Sequence, residues 1–109
     1  MVTITRRQRD LVFKALADPT RREILRLLRG RGSTVGGIAS NFRTSRPAIS
    51  KHLRLLRGAG LVSMRKKGAA TICELSGKPL RAVDDWLRDY EAYWEENLRN
   101  LKHYVEENP

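Results

Sequence analysis

SRPAISKHLRLLRGAGLV, Ser45 to Val62, is the stretch on which the fold turns. Pro47 falls in a first helical turn, where proline is tolerated, and Ser45 or Arg46 stands ahead of it as the cap. With Ile49 on the inward meridian, Leu53 and Leu56 lie within about 40° of it on a helical wheel. Ser50, Lys51 and Arg54 then point the opposite way, with Arg46 and Arg57 on one flank and Ala48, His52 and Leu55 on the other. The spacing predicts a helix buried along one edge and cationic along the other. Gly60 closes it as a left-handed cap, and Leu61 is placed to touch Leu56 as a Schellman motif requires.

Upstream, Leu11, Val12, Ala15 and Leu16 recur at helical steps within Arg6 to Leu16, which predicts a first amphipathic helix. A second follows Asp18-Pro19, with Asp18 as cap and Pro19 at the first position; Thr20 and Glu23 offer a competing capping-box register. Ile24, Leu25, Leu27 and Leu28 are its apolar stripe, and Gly30-Arg31-Gly32 ends it. Val35, Ile38, Ala39 and Phe42 then mark a short helix. Gly36 and Gly37 weaken it by about 1 kcal/mol each relative to alanine, yet they let a neighbouring helix approach. Arg43-Thr44-Ser45 forms the turn into the basic helix. Downstream the period changes to two, predicting strands at Leu61 to Arg65 and Ala70 to Leu75 joined by a Lys66-Lys67-Gly68-Ala69 tip.

Length and charge bound the function. One hundred and nine residues suit one domain spanning 1–109. Residues 1–78 carry 18 Lys and Arg against 4 acidic side chains, a net +14, whereas residues 79–109 carry 4 against 8, a net −4. Such a basic body repels itself unless a polyanion is close. Nucleic acid is the first candidate and an anionic membrane surface the second. Residues 43–78 contain no Phe, Trp or Tyr, which favours duplex DNA over single-stranded RNA read by stacking. No apolar run approaches the roughly 20 residues of a membrane span, and Met1 to Arg9 has no apolar stretch resembling a secretory signal. The lone Cys73 excludes an internal disulfide or multi-thiolate metal site, so a reducing cytoplasmic setting is expected.

From Pro79 to about Glu107 one long helix is predicted. Its apolar positions, Val83, Leu87, Tyr90, Trp94, Leu98, Leu101 and Val105, follow steps of three and four, and Trp86, Tyr93 and Tyr104 widen the stripe. So small a body cannot cover such a stripe alone, and a partner helix from a second copy is expected. No Cys/His pair, Gly-rich phosphate loop or ligand triad suggests an enzyme or a cofactor.

The motifs LADPTRREILRLL (Leu16 to Leu28) and SRPAISKHLRLLRGAGLV (Ser45 to Val62) resemble the ArsR/SmtB family of bacterial transcriptional repressors. The segment from Pro79 to Val105 is similar to a subgroup without metal sites, so the resemblance covers about residues 8 to 105. It implies a mainly α winged helix-turn-helix with five helices and a two-stranded wing, dimerising through its first and last helices. It places Ser45, Arg46, Pro47, Ser50, Lys51 and Arg54 at recognition positions and Arg65, Lys66 and Lys67 in the wing. Arg43, Thr44 and Arg57 join them as DNA contacts, and Leu11 joins Val83, Leu87, Tyr90, Trp94, Leu98 and Leu101 at the dimer contact. Within that frame Arg46 and Arg54 are expected on guanine edges, Ser50 or Lys51 on a further base edge, and Arg43, Arg57, Lys66 and Lys67 on phosphates.

Metal-sensing members carry a Cys-x-Cys where this chain reads Thr34-Val35-Gly36-Gly37. Others place Asp and His ligands on the last helix; here Asp85 and His103 are 18 residues apart, about 27 Å along the axis, too far to share an ion within one chain. Metal sensing is therefore not expected, and operator DNA and a second copy are the expected partners. An effector- or redox-responsive sensor and a basic RNA-binding or interaction dimer are the alternatives. His52 is expected to be packed and hydrogen-bonded in preference to a ligand or pH switch, and Cys73 to be a small strand hydrophobe in preference to a redox sensor. The Trp86, Tyr90, Tyr93 and Trp94 cluster is expected in the dimer core, with a small hydrophobic effector pocket as the other reading.

Overall fold

A computed structural model describes residues 4–108. Thr5 opens α1 (Arg6–Leu16) by accepting a hydrogen bond from the Gln8 N–H at 3.1 Å, and the helix buries Val12 and Ala15. Of the two caps offered to α2 (Pro19–Leu28), Asp18 is used: its carboxylate accepts from the Arg21 N–H at 3.0 Å. Ile24, Leu25 and Leu28 form the buried edge of α2. A two-residue strand, β1 (Ser33–Thr34), leads straight into α3 (Val35–Ala39), capped by Thr34. Ser45, not Arg46, caps α4 (Arg46–Gly58), which buries Ile49, Leu53 and Leu56.

The end of α4 is the Schellman arrangement. The Leu61 N–H reaches the Leu56 carbonyl and the Gly60 N–H the Arg57 carbonyl, both at 2.9 Å, with Gly60 at φ +78°. Glycine is required there twice over. The left-handed backbone disfavours a side chain, and a Cβ would also sit 3.1 Å from Gln8 Nε2 and 3.3 Å from Pro79 Cγ.

Strands β2 (Val62–Lys67) and β3 (Ala70–Leu75) pair antiparallel from Val62↔Leu75 to Lys67↔Ala70. The first strand thus runs further than the predicted Leu61 to Arg65, and the four-residue tip shrinks to Gly68-Ala69 because Gly68, at φ +63°, permits a tight turn. The sheet order is β1-β3-β2, with Ser33↔Cys73 and Thr34↔Ile72 completing a three-stranded sheet.

The C-terminal segment departs most from its reading. In place of one helix there is a 3-10 turn at Lys78–Leu80, then α5 (Arg81–Arg88), then α6 (Glu91–Glu107). At the break the Asp89 and Tyr90 N–H groups bond three residues back, to Trp86 and Leu87, and Tyr90 leaves helical geometry at φ −108°, ψ 3°. Tyr90 packs on Trp86 at 5.1 Å between ring centroids, and Trp86 meets Phe13 of α1 edge-on at 5.7 Å, so the break coincides with an aromatic anchor to the body. The described residues therefore make six α-helices and three strands, against the five and two predicted. One buried cluster of α1, α2, α3, α4 and sheet residues, Val12, Ile24, Ile38, Leu53, Leu61 and Cys73 among them, seats α4.

The Asp18 cap carries a pH signature. The Arg21 backbone N–H, and then the Arg21 charge working against desolvation, hold its carboxyl below the ordinary carboxylate value. A depressed folded-state pKa contributes stability that is complete above the unfolded pKa and is lost as pH falls through the folded one. Asp18→Ala is expected to cost about 1 kcal/mol in urea unfolding near neutral pH. That deficit should shrink as pH falls from about 5 toward about 2; a deficit independent of pH would contradict the capping account.

Candidate nucleic-acid interface

The outward face of α4 is set by its inward edge. Ile49, Leu53 and Leu56 have no solvent exposure, so Lys51 and Arg54 are exposed and Ser50 is half-covered. The Ser45 hydroxyl accepts from the Ala48 N–H at 3.2 Å, which fixes where the helix starts. Arg43, Thr44, Ser45 and Pro47 are exposed along the turn and the first helical turn. Arg46 is exposed too, but its guanidinium lies back over α3: a Cβ on Gly36 would touch its Cζ at 3.6 Å. In this conformation Arg46 is placed beside α3, and it is Lys51 and Arg54 that stand out from the helix. At 3.6 Å that would be an ordinary contact, so Gly36 is not needed to admit this arginine; at Gly37 a Cβ would instead crowd the Ser33 hydroxyl.

The wing lies next to α4 in the chain and packs against it. Arg57 reaches toward it, with Nη1 3.8 Å from Met64 Sδ. Lys66 and Lys67 are exposed beside the tip. Arg65 is different: it forms an ion pair with Glu74 across the strands, so one of the three expected wing cations is already partnered. The pairing is diagonal, since Ser63 stands opposite Glu74 and Arg65 opposite Ile72. Among the described residues no carboxylate lies within ion-pair distance of Arg43, Arg46, Lys51, Arg54, Arg57, Lys66 or Lys67.

His52 is packed and hydrogen-bonded, against Arg21 and near Asp18. Cys73 is fully buried on the central strand; burial pushes its thiol up, against the opposing charge of Arg57. A buried thiol with a raised pKa holds little nucleophilic thiolate, which suits a packing role.

The dimer-contact candidates divide. Val83 packs against the core of its own chain, so that expected contact is at least partly taken. Leu11, Leu87, Tyr90, Trp94, Leu98 and Leu101 are exposed, Leu98 to 65%. Leu87, Trp94 and Leu98 line an open groove flanked by Asp84, Arg88, Glu91 and Glu95. Helix α6 buries no residue at all.

Two features went unread in the sequence. Arg21, half-buried, joins three segments, and its His52 partner is 31 residues away. Glu74 neutralises a wing cation, which only the strand register could have revealed.

A short helix and a turn leading into a capped helix with unpaired outward cations, followed by a basic hairpin, define a winged helix-turn-helix DNA-binding regulator. Residues 18–64 match the family model described as "Bacterial regulatory protein, arsR family". The chain is 42% identical over 79 residues to the transcriptional repressor SdpR of Bacillus subtilis, covering 72% of this chain and 88% of that protein. It superposes on the crystal structure of the ArsR family transcriptional regulator RHA00566 with a TM-score of 0.75 at 34% identity, covering 87% and 97%. The homodimeric winged helix-turn-helix domain of Mb0332 from Mycobacterium bovis superposes with a TM-score of 0.63 at 27% identity, covering 84% and 93%. The chain belongs to the ArsR family of bacterial regulatory proteins. It is a transcriptional regulator and not an enzyme.

Removing the Glu74 charge tests the wing. Glu74→Gln is expected to release Arg65 and tighten binding to any duplex, steepening the slope of log K against log salt by about 0.9. An unchanged slope would mean that Arg65 gains no phosphate contact.

Proposed function

We propose that this chain acts in the bacterial cytoplasm as a homodimeric repressor, binding a two-fold symmetric operator and blocking polymerase access. The unpaired cations along the exposed side of α4 and beside the wing tip carry this reading. Arg43, Arg57, Lys66 and Lys67 supply the sequence-independent grip, since each phosphate they neutralise releases counterions. Lys51 and Arg54 meet base edges, Arg54 as a bidentate donor to guanine O6 and N7, with Ser50 adding a hydrogen bond. Arg46, lying over Gly36, is better placed for the backbone than for a base in this conformation. Residues 1–109 act as one DNA-binding domain with a C-terminal dimerisation helix.

The uncovered stripe of α6 supports the dimer. Trp94, Leu98, Leu101, Tyr104 and Val105 are all more than half exposed, and a matching stripe on a second copy is self-complementary under two-fold symmetry. Two α4 helices then address half-sites about 34–36 Å apart. Repression is favoured over activation by the likeness to SdpR, a transcriptional repressor. We also read the chain as unresponsive to metal ions, because Thr34-Val35-Gly36-Gly37 supplies no thiolate and Asp85 lies far along the chain from His103.

A symmetric duplex enriched by the full chain from a random pool provides the probe. The Lys51→Ala/Arg54→Ala double variant is expected to lose about 2 kcal/mol or more of affinity for it while remaining dimeric. Wild-type affinity would rule out the recognition face. Trp94→Ala is expected to shift sedimentation toward monomer first and to weaken DNA binding as a consequence; a wild-type chain that sediments as a stable monomer would contradict the dimer.

A further inference from the structure

His52 lies on the flank of α4 away from Lys51 and Arg54, and it is mostly covered. Its Nδ1 is 3.3 Å from Arg21 Nη1 and 3.8 Å from Asp18 Oδ2. A guanidinium has only donors, so the closer contact is a hydrogen bond when Nδ1 is unprotonated and accepts, which leaves the imidazole proton on Nε2. The other arms of Arg21 are committed as well. Nε donates to the Ala15 carbonyl at 2.8 Å and Nη2 to the Lys14 carbonyl at 3.0 Å, both in the last turn of α1. Its backbone N–H is held by Asp18 at 3.0 Å. One side chain thus ties the end of α1, the start of α2 and the middle of α4.

We propose that His52 is a positioning residue for DNA recognition: through Arg21 it sets the rotation of α4 about its own axis, and with it the aim of Lys51 and Arg54. This rests on the reading of α4 as the recognition helix. The apolar edge of Ile49, Leu53 and Leu56 keeps α4 seated, but apolar burial is non-directional and tolerates small rotations. A hydrogen bond to a three-point-anchored guanidinium does not. Rotation by about 10° moves atoms about 6 Å from a helix axis by about 1 Å, enough to spoil a base-edge contact. Lysine cannot replace Arg21, because a single ammonium lacks the planar fork that reaches three separate acceptors.

The test compares affinity for the enriched symmetric duplex with affinity for a scrambled duplex of the same composition, using the full chain. His52→Leu keeps the volume and removes the acceptor. It is expected to lower the ratio of the two affinities about tenfold, the discrimination lost when one base-edge contact is spoiled, with scrambled-duplex affinity and dimer mass unchanged. His52→Asn, whose amide oxygen takes the place of Nδ1, is expected to restore most of the ratio. Arg21→Ala is expected to mimic His52→Leu, and the double variant to be no worse than either single one. A wild-type ratio in His52→Leu, equal loss in His52→Leu and His52→Asn, or additive losses in the double variant would overturn the proposal. The Lys51→Ala/Arg54→Ala variant separates the two failures. If it loses the ratio while His52→Leu keeps it, only the positioning role falls; if it keeps the ratio, the recognition face falls and the positioning role with it.

Discussion

Burial of three side chains, Ile49, Leu53 and Leu56, is the constraint on which the rest depends. Each such side chain is worth about 1.5–3 kcal/mol when removed from water. Turning α4 over would expose all three and drive Lys51 and Arg54 into an apolar interior, where unpaired charge costs far more. The direction of the cations thus follows from the apolar edge, not from any attraction between the cations and the body. The ends of the helix are fixed separately. Ser45 sets its first residue through the Ala48 N–H, and Gly60 and Leu61 set its last through the Arg57 and Leu56 carbonyls. A helix held at both ends and along one edge keeps the same side outward, within the small rotations that apolar packing allows.

The two halves of the chain solve different problems. The basic part repels itself and is relieved by a polyanion, while the acidic part carries the apolar surface that its own fold leaves uncovered. Helix α5 is anchored to the body through Ala82, Val83 and the Phe13–Trp86 contact, but α6 leaves it after Tyr90 and buries nothing. Most helix stability in proteins comes from packing an amphipathic face, and the 17-residue α6 buries none of its residues, so its stability depends largely on whatever covers the stripe. In the proposed dimer a second copy would cover it without any further protein, and would put two α4 helices on one side of the molecule. In that dimer, association between copies and recognition of DNA would be coupled through a short segment, Lys78 to Tyr90.

Helices α2 and α4 were legible because cap and period agree there, Asp18-Pro19 and Ser45-Arg46-Pro47 announcing starts and Gly60 a stop, whereas α1 and α3 were legible from their period alone. The outward face of α4 was legible for the same reason, since a 3.6-residue period assigns faces without tertiary information. What escaped depends on contacts distant in sequence or on register. Strand β1 is two residues long and exists only by pairing with Ile72 and Cys73. The break at Asp89 and Tyr90 involves no proline or glycine and coincides with aromatic packing that reaches α1. A four-residue tip would have set Arg65 opposite Ala70; the two-residue turn sets it opposite Ile72 and diagonal to Glu74. Arg46 reads as a flank cation on a wheel, which does not show that its guanidinium lies beside Gly36 of α3.

In the proposed assembly two copies hold two α4 helices on one face of duplex DNA, in register with its grooves. Hydroxyl-radical footprinting of the wild-type chain on its enriched duplex tests this most directly. Two protected patches are expected on the same face, related by two-fold symmetry and centred about 10–10.5 base pairs, or a whole multiple of that, apart. A single unbroken patch without symmetry, or two patches on opposite faces of the duplex, would contradict it.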